Sequence, residues 1–137
     1  MRRLICVFSV TMLLAGHALW AEKPEDAAQV AAESWLKLVD QGQYGASWDQ
    51  AAKLFKGAVT KEKWIEAARG VREPLGKLVS RKVSSRTMTD KVPGGPDGTY
   101  VVIRFETVFE KKSTAVETVT PMRDPDGVFR VSGYYIR

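Results

Sequence analysis

The repeat length of the apolar pattern changes once along this chain, at Gly76, and that change limits the folds open to it. Up to that glycine, apolar residues return every three or four positions; beyond it they return every second position. Pro24-Glu25-Asp26 supplies proline and two acids where a helix starts. Ala27, Ala31, Trp35, Leu38 and Val39 follow at helical spacing, and Gly42 stops the run. A second helix is predicted from about Tyr44, with Tyr44, Trp48, Ala51 and Phe55 on one face and Gly57 closing it. Thr60 is placed to cap a third, with Trp64, Ala68 and Val71 inward and Pro74 and Gly76 ending it. Strands are then predicted over Leu78 to Met88, Tyr100 to Phe109, Thr114 to Met122 and Val128 to Ile136. The turn clusters between them are Pro93 to Gly98, Lys111-Lys112-Ser113 and Asp124-Pro125-Asp126-Gly127. Sequential strands on short turns form an antiparallel meander. The expected fold is therefore α+β: three N-terminal helices packed on one face of a four-stranded sheet, in one domain over residues 24–137.

The first residues have a different character. Arg2 and Arg3 precede an apolar run from Leu4 to Ala15, and Gly16-His17-Ala18 places small residues where a signal peptidase reads. The expectation is a signal peptide over residues 1–18, cut after Ala18, with Ala21 as the alternative site. The competing reading is an uncleaved anchor, since the apolar stretch to Ala21 approaches the roughly 18 residues a span needs. Export to the periplasm or medium of a bacterium is the reading adopted. It would remove the only Cys, Cys6, and the only His, His17. The mature chain would then lack a thiol nucleophile, an imidazole base and any His/Cys metal cluster, and no disulfide could brace it. No cofactor fingerprint occurs either: no helix is predicted after Gly94-Gly95, and the Asp124–Gly127 loop has its glycine in the wrong place for an EF-hand.

Charge is uneven. The segment Lys53–Lys91 holds 11 Lys and Arg against four acids, while Leu19–Ala52 holds two against six. A basic middle can serve an anionic surface, but these residues are scattered, and an acidic first helix beside them would neutralise them. Nucleic acid is not an expected partner. A membrane is expected to be met only through an uncleaved N-terminus.

Two charged residues fall among apolar neighbours: Arg81 between Val79 and Val83, and Glu117 between Ala115 and Val119. If both faces turn toward the helices, a cation and a carboxylate share a desolvated interior. Such a pair can hold a polar ligand, supply a carboxylate base, or simply form a structural ion pair. Val116, Thr118 and Thr120 offer a rival inward face, so register decides. Trp35, Trp48 and Trp64 fall one per predicted helix, either as an aromatic ligand cage or as rings filling the space over a curved sheet. Of the stretch VREPLGKLVSRKV (Val71–Val83), spacing alone scatters Arg72, Lys77, Arg81 and Lys82 over a helix end, a turn and a strand. Only Arg81 is kept there as an anion contact.

Together SWDQAAKLFK (Ser47–Lys56), TKEKW (Thr60–Trp64), VREPLGKLVSRKV, PGGPDGTYVVIRFET (Pro93–Thr107), AVETVT (Ala115–Thr120) and DGVFRVSGYYIR (Asp126–Arg137) resemble the bacterial exported family catalogued as domain of unknown function 4019. That resemblance implies no catalytic residue. The order of elements and the aromatic-rich last strand also resemble nuclear-transport-factor-two-like (cystatin-like) folds, in which helices cap a curved sheet as a cone. That superfamily includes enzymes, ligand binders and assembly domains. The functional expectation is a noncatalytic envelope domain binding a small ligand or protein, with a homodimer through the sheet as one form. The candidate contacts are Arg81, Glu117, Trp35, Trp48 and Trp64. Its alternatives are a small pocket enzyme using Glu117 with Arg81, and an anionic-surface binder acting through the basic middle.

Overall fold

Pro24 opens the first helix in the computed structural model, which describes residues 23–137. The expected signal segment lies outside the described residues. Helix α1 (Pro24–Asp40) carries Glu25 and Asp26 in its first turn and Lys37 in its last, charges that favour the two ends of the helix dipole. Gly42, at φ +72°, lets the chain reverse immediately afterwards. The α1 face that is fully covered is Ala28, Ala32, Trp35, Leu36 and Val39. Ala27 and Ala31 pack only partly, so the helix is rotated from the orientation predicted by the sequence pattern.

Among the described residues there are four α-helices rather than three. The second predicted helix is divided into α2 (Tyr44–Asp49) and α3 (Lys53–Ala58). The break has a physical cause at Ala52, which is extended (ψ 155°) and donates its N–H to the Val131 carbonyl across 2.8 Å. Ala51 and Ala52 are completely buried, so small side chains let the backbone come down onto the sheet. Helix α4 (Lys61–Arg72) starts as predicted, with Thr60 Oγ1 accepting from the Lys63 N–H at 3.3 Å. Its inward stripe is Trp64, Ala68 and Arg72. Val71, expected inward, is 51% exposed, because the four-residue step from Ala68 selects the arginine. A 3₁₀ turn (Glu73–Leu75) and Gly76 (φ +74°) then deliver the chain to the sheet.

The sheet is the expected antiparallel meander, β1 (Leu78–Thr89), β2 (Tyr100–Phe109), β3 (Lys112–Arg123) and β4 (Phe129–Ile136), in that spatial order. The architecture is compatible with a cystatin-like cone. The turn between β2 and β3 is shorter than expected, Glu110-Lys111 alone. The helix-facing side of β2 is Val101, Ile103, Phe105, Thr107 and Phe109, all buried, and β3 opposes it with Ala115, Glu117 and Val119.

Register shifts shape the strands beyond simple alternation. Strand β1 shifts register between Val83 and Ser85, so Arg81, opposite Thr107, and Arg86, opposite Ile103, share the inner face although five residues apart. A shift near Leu78 and Ser80 leaves Val79 63% exposed instead of beside Arg81. A further shift lies between β3 and β4 at Thr120 and Pro121, where a proline is tolerated because the ladder is already interrupted. Strand β1 pairs only with β2, and its 12 residues hold three cations and no acid along an open edge.

Candidate functional site

Arginines from β1 and α4 meet carboxylates from α1 and β3 between the helices and the sheet, beside the C-terminal end of α1. Arg81 Nε donates to Glu117 Oε1 at 2.7 Å, while its Nη1 and Nη2 donate to the two oxygens of Asp40 at 2.7 and 2.9 Å. Arg72 Nη2 donates to Asp40 Oδ1 at 2.7 Å. Glu117 is 0% exposed and also accepts from Thr107 Oγ1 at 2.7 Å and from the Tyr134 hydroxyl. Both of its oxygens are thus occupied. The cluster contains two cations and two anions, which is how charges are held out of water without a large net desolvation cost.

Burial opposes the charge on Asp40, but hydrogen bonds from Arg81 and Arg72, and their positive charges, outweigh it. The carboxyl lies below its ordinary value of 3.8. Burial likewise opposes the charge on Arg81, and the bonds to Asp40 and Glu117 push its pKa up instead. For Tyr134, burial and then the Glu117 charge push the hydroxyl pKa up, so it stays a donor. The network also has a mechanical role. Arg81 ties β1 to the C-terminal end of α1, and Arg86 Nη1 ties it to Asp26 at the N-terminal end across 2.7 Å.

The tryptophans separate into two groups. Trp35 and Trp64 lie 5.7 Å apart, and both pack on Tyr134 and on Phe55. Ser47 satisfies both indoles, its carbonyl accepting from Trp35 Nε1 at 2.8 Å and its hydroxyl from Trp64 Nε1 at 2.9 Å. Trp48 stands apart, donating to the Val59 carbonyl at 2.9 Å with the Lys56 ammonium 5.9 Å from its ring. Arg81, Glu117, Trp35 and Trp64 are therefore linked through Tyr134, while Trp48, partly buried, packs on the margin of the same core without touching that residue's ring.

The family described as "Protein of unknown function (DUF4019)" matches residues 31–134. The chain belongs to the DUF4019 family. Within this DUF4019 protein the matched span contains every member of the charged cluster, from Asp40 to Tyr134. No curated protein matches the chain.

Outside the packed interior, the DUF4019 fold carries an open cleft of about 480 Å³ where α1, α4 and the β2–β3 turn end. Arg69, Arg72, Lys77 and Lys111 line it with Asp40, Glu73 and Glu110. Arg72, only 5% exposed, stacks its guanidinium 4.8 Å over the Phe109 ring. Its Nε and Nη1 have no hydrogen-bond partner among the described residues. A buried donor left in that state costs roughly 1–3 kcal/mol. Spacing had scattered the cations of Val71–Val83, yet the fold brings Arg72 and Lys77 to one cleft and Arg72 and Arg81 to one carboxylate. The sequence reading missed Asp40, Arg72 and Tyr134. Arg72 had one usable signal, its place four residues after Ala68 on the inward stripe of α4.

In the Asp124–Gly127 turn, Arg130 donates to Asp124 at 3.0 Å and to both oxygens of Asp126. The Arg130 hydrogen bonds, aided by the Val128 N–H, hold the Asp126 carboxyl down to about 2. The carboxylates of this loop are thus used to close a turn.

Proposed function

We propose that this DUF4019 protein is an exported domain of the bacterial cell envelope that works by noncatalytic binding, at its surface clefts rather than inside the cone. One observation carries the reading against catalysis: Glu117 is 0% exposed with both oxygens hydrogen-bonded, to Arg81, Thr107 and Tyr134, so no substrate atom reaches it. The interior beside it is taken up by Trp35, Trp64, Phe55 and Tyr134 in mutual contact. Export is supported by the arginine pair, apolar run and small residues before Leu19. With Cys6 and His17 removed, carboxylates, tyrosines and cations are the ionisable groups left to recognise a partner.

Two measurements test this. Fractionation of cells making the full-length protein should place it outside the cytoplasm, with an intact mass starting at Leu19. Native mass spectrometry of that material should then retain a bound species that denaturation releases. Cytoplasmic protein with an uncut N-terminus would overturn the export half, and protein that is bare in every envelope preparation would overturn the binding half.

A further inference from the structure

The helices cover one face of the sheet, and the side chains of the other face are arranged almost symmetrically about its middle. We infer that this outer face pairs with the same face of a second copy of the chain, about a two-fold axis. The pairing is a self-association and does not rest on the ligand reading above. On β2 the outward side chains are Val102, Arg104, Glu106 and Val108, alternating with the buried ones. Arg104 stands in one row across the sheet with Ser85, Thr118 and Tyr135. Glu106 stands in the next row with Lys82, Val116 and Arg137.

An axis running across the strands, midway between these rows, exchanges them. It sets Arg104 of each copy opposite Glu106 of the other, so one self-complementary contact supplies two ion pairs. It also sets the Tyr135 ring, 46% exposed, against an arginine, Arg137, and Val116, 39% exposed, against Thr118. The charges are available for this. Arg104 has no carboxylate within ion-pairing distance among the described residues. Glu106 has Lys82 at 3.1 Å, in a pair whose side chains are 77% and 57% exposed and therefore loosely held.

Shape obeys the same axis. At the Val102 end the β1–β2 loop rises over the outer face, fastened by the Tyr100 hydroxyl, which donates to the Pro96 carbonyl at 2.6 Å. Val92 to Gly95 of that loop form a ridge beside Thr120 and Tyr135. The ridge is closely packed, since a Cβ on Gly95 would lie 2.6 Å from Val92 Cγ2. At the Val108 end there is instead an open hollow of about 790 Å³ among Lys82, Thr114 and Arg137. Ridge and hollow lie on opposite sides of the axis, so the ridge of each copy meets the hollow of the other. Four strands about 4.8 Å apart, with outward rows about 7 Å apart, give a face of roughly 20 by 25 Å. Counted on both copies that is roughly 1,000 Å², the lower bound of specific interfaces, so the pairing is reversible.

The test is sedimentation velocity of protein purified from cells making the full-length chain, run from about 1 to about 200 µM. The mass should double over that range. R104E and E106R should each weaken pairing at least about tenfold, because each puts like charges opposite one another. Both positions are exposed, so the thermal unfolding of the monomer should not move. R104E/E106R, which exchanges the two charges within one chain, should pair again. A monomer at every concentration would overturn the inference. So would a dimer that the single reversals leave intact, or one that the exchange fails to restore, since either result puts the interface elsewhere. The ligand sought in native mass spectra differs in mass from a second copy, so either conclusion can fail while the other stands.

Discussion

Arg81 is the residue on which the interior depends most. It makes three hydrogen bonds to two carboxylates on different elements, and its side chain is 11% exposed. Removing it leaves Glu117 and Asp40 facing apolar surroundings without their principal counterion. Arg81→Met should lower stability by about 3–5 kcal/mol, measured by urea denaturation. Asp40 gives the same network a pH signature. Its folded pKa lies below the unfolded value near 3.8, so the unfolded chain binds the proton more readily. That contribution is complete above the unfolded value and disappears as pH falls through the folded one. The stability gap between the native protein and Asp40→Asn should therefore be widest at pH about 6 and shrink toward pH about 2, as read from denaturant midpoints.

At the scale of elements, the corner at Gly76 has the narrowest tolerance. A side chain there is strained by the positive φ and crowds Glu110, so Gly76→Ala should cost about 1–2 kcal/mol in chemical denaturation. Gly57, with open space around it, should accept alanine with little change. The same corner shows how far the sequence could be read. The change of period at Gly76, the Thr60 cap, the limits of β2 and the inward set from Val101 to Phe109 were all legible, because each follows from local spacing or local hydrogen bonding. The division of α2 from α3 was not, since it depends on one N–H from Ala52 reaching a carbonyl 79 residues later in β4. The shared face of Arg81 and Arg86 was hidden for a related reason: a bulge reverses the parity on which alternation arguments rest. The Arg81–Glu117 proximity could be raised as a question of register, but Asp40 could not be placed with them without the packing of α1. Nothing in the spacing of Arg72 and Lys77 foretold their cleft.

For the molecule as a whole, the described residues form helices on one side of an open sheet, tied by ionic contacts at both ends of α1 and by an aromatic group between. Cohesion comes from packing and buried polar bonding. Were the N-terminus cleaved as proposed, taking Cys6 with it, the product should melt at the same temperature with and without dithiothreitol in calorimetry; a shift would reveal a thiol-dependent bond and so a retained N-terminus.

The free border of β1 has a further consequence. A lone strand of 12 residues is an invitation for another chain to continue the ladder, and many proteins are harmed by such invitations. Here the three cations of that border are all engaged by acids of other elements, Arg81 by Asp40 and Glu117, Lys82 by Glu106 and Arg86 by Asp26. With those charges balanced, the two register shifts of β1, at Leu78–Ser80 and Val83–Ser85, are what spoil the rim as a flat template for stacking into fibres.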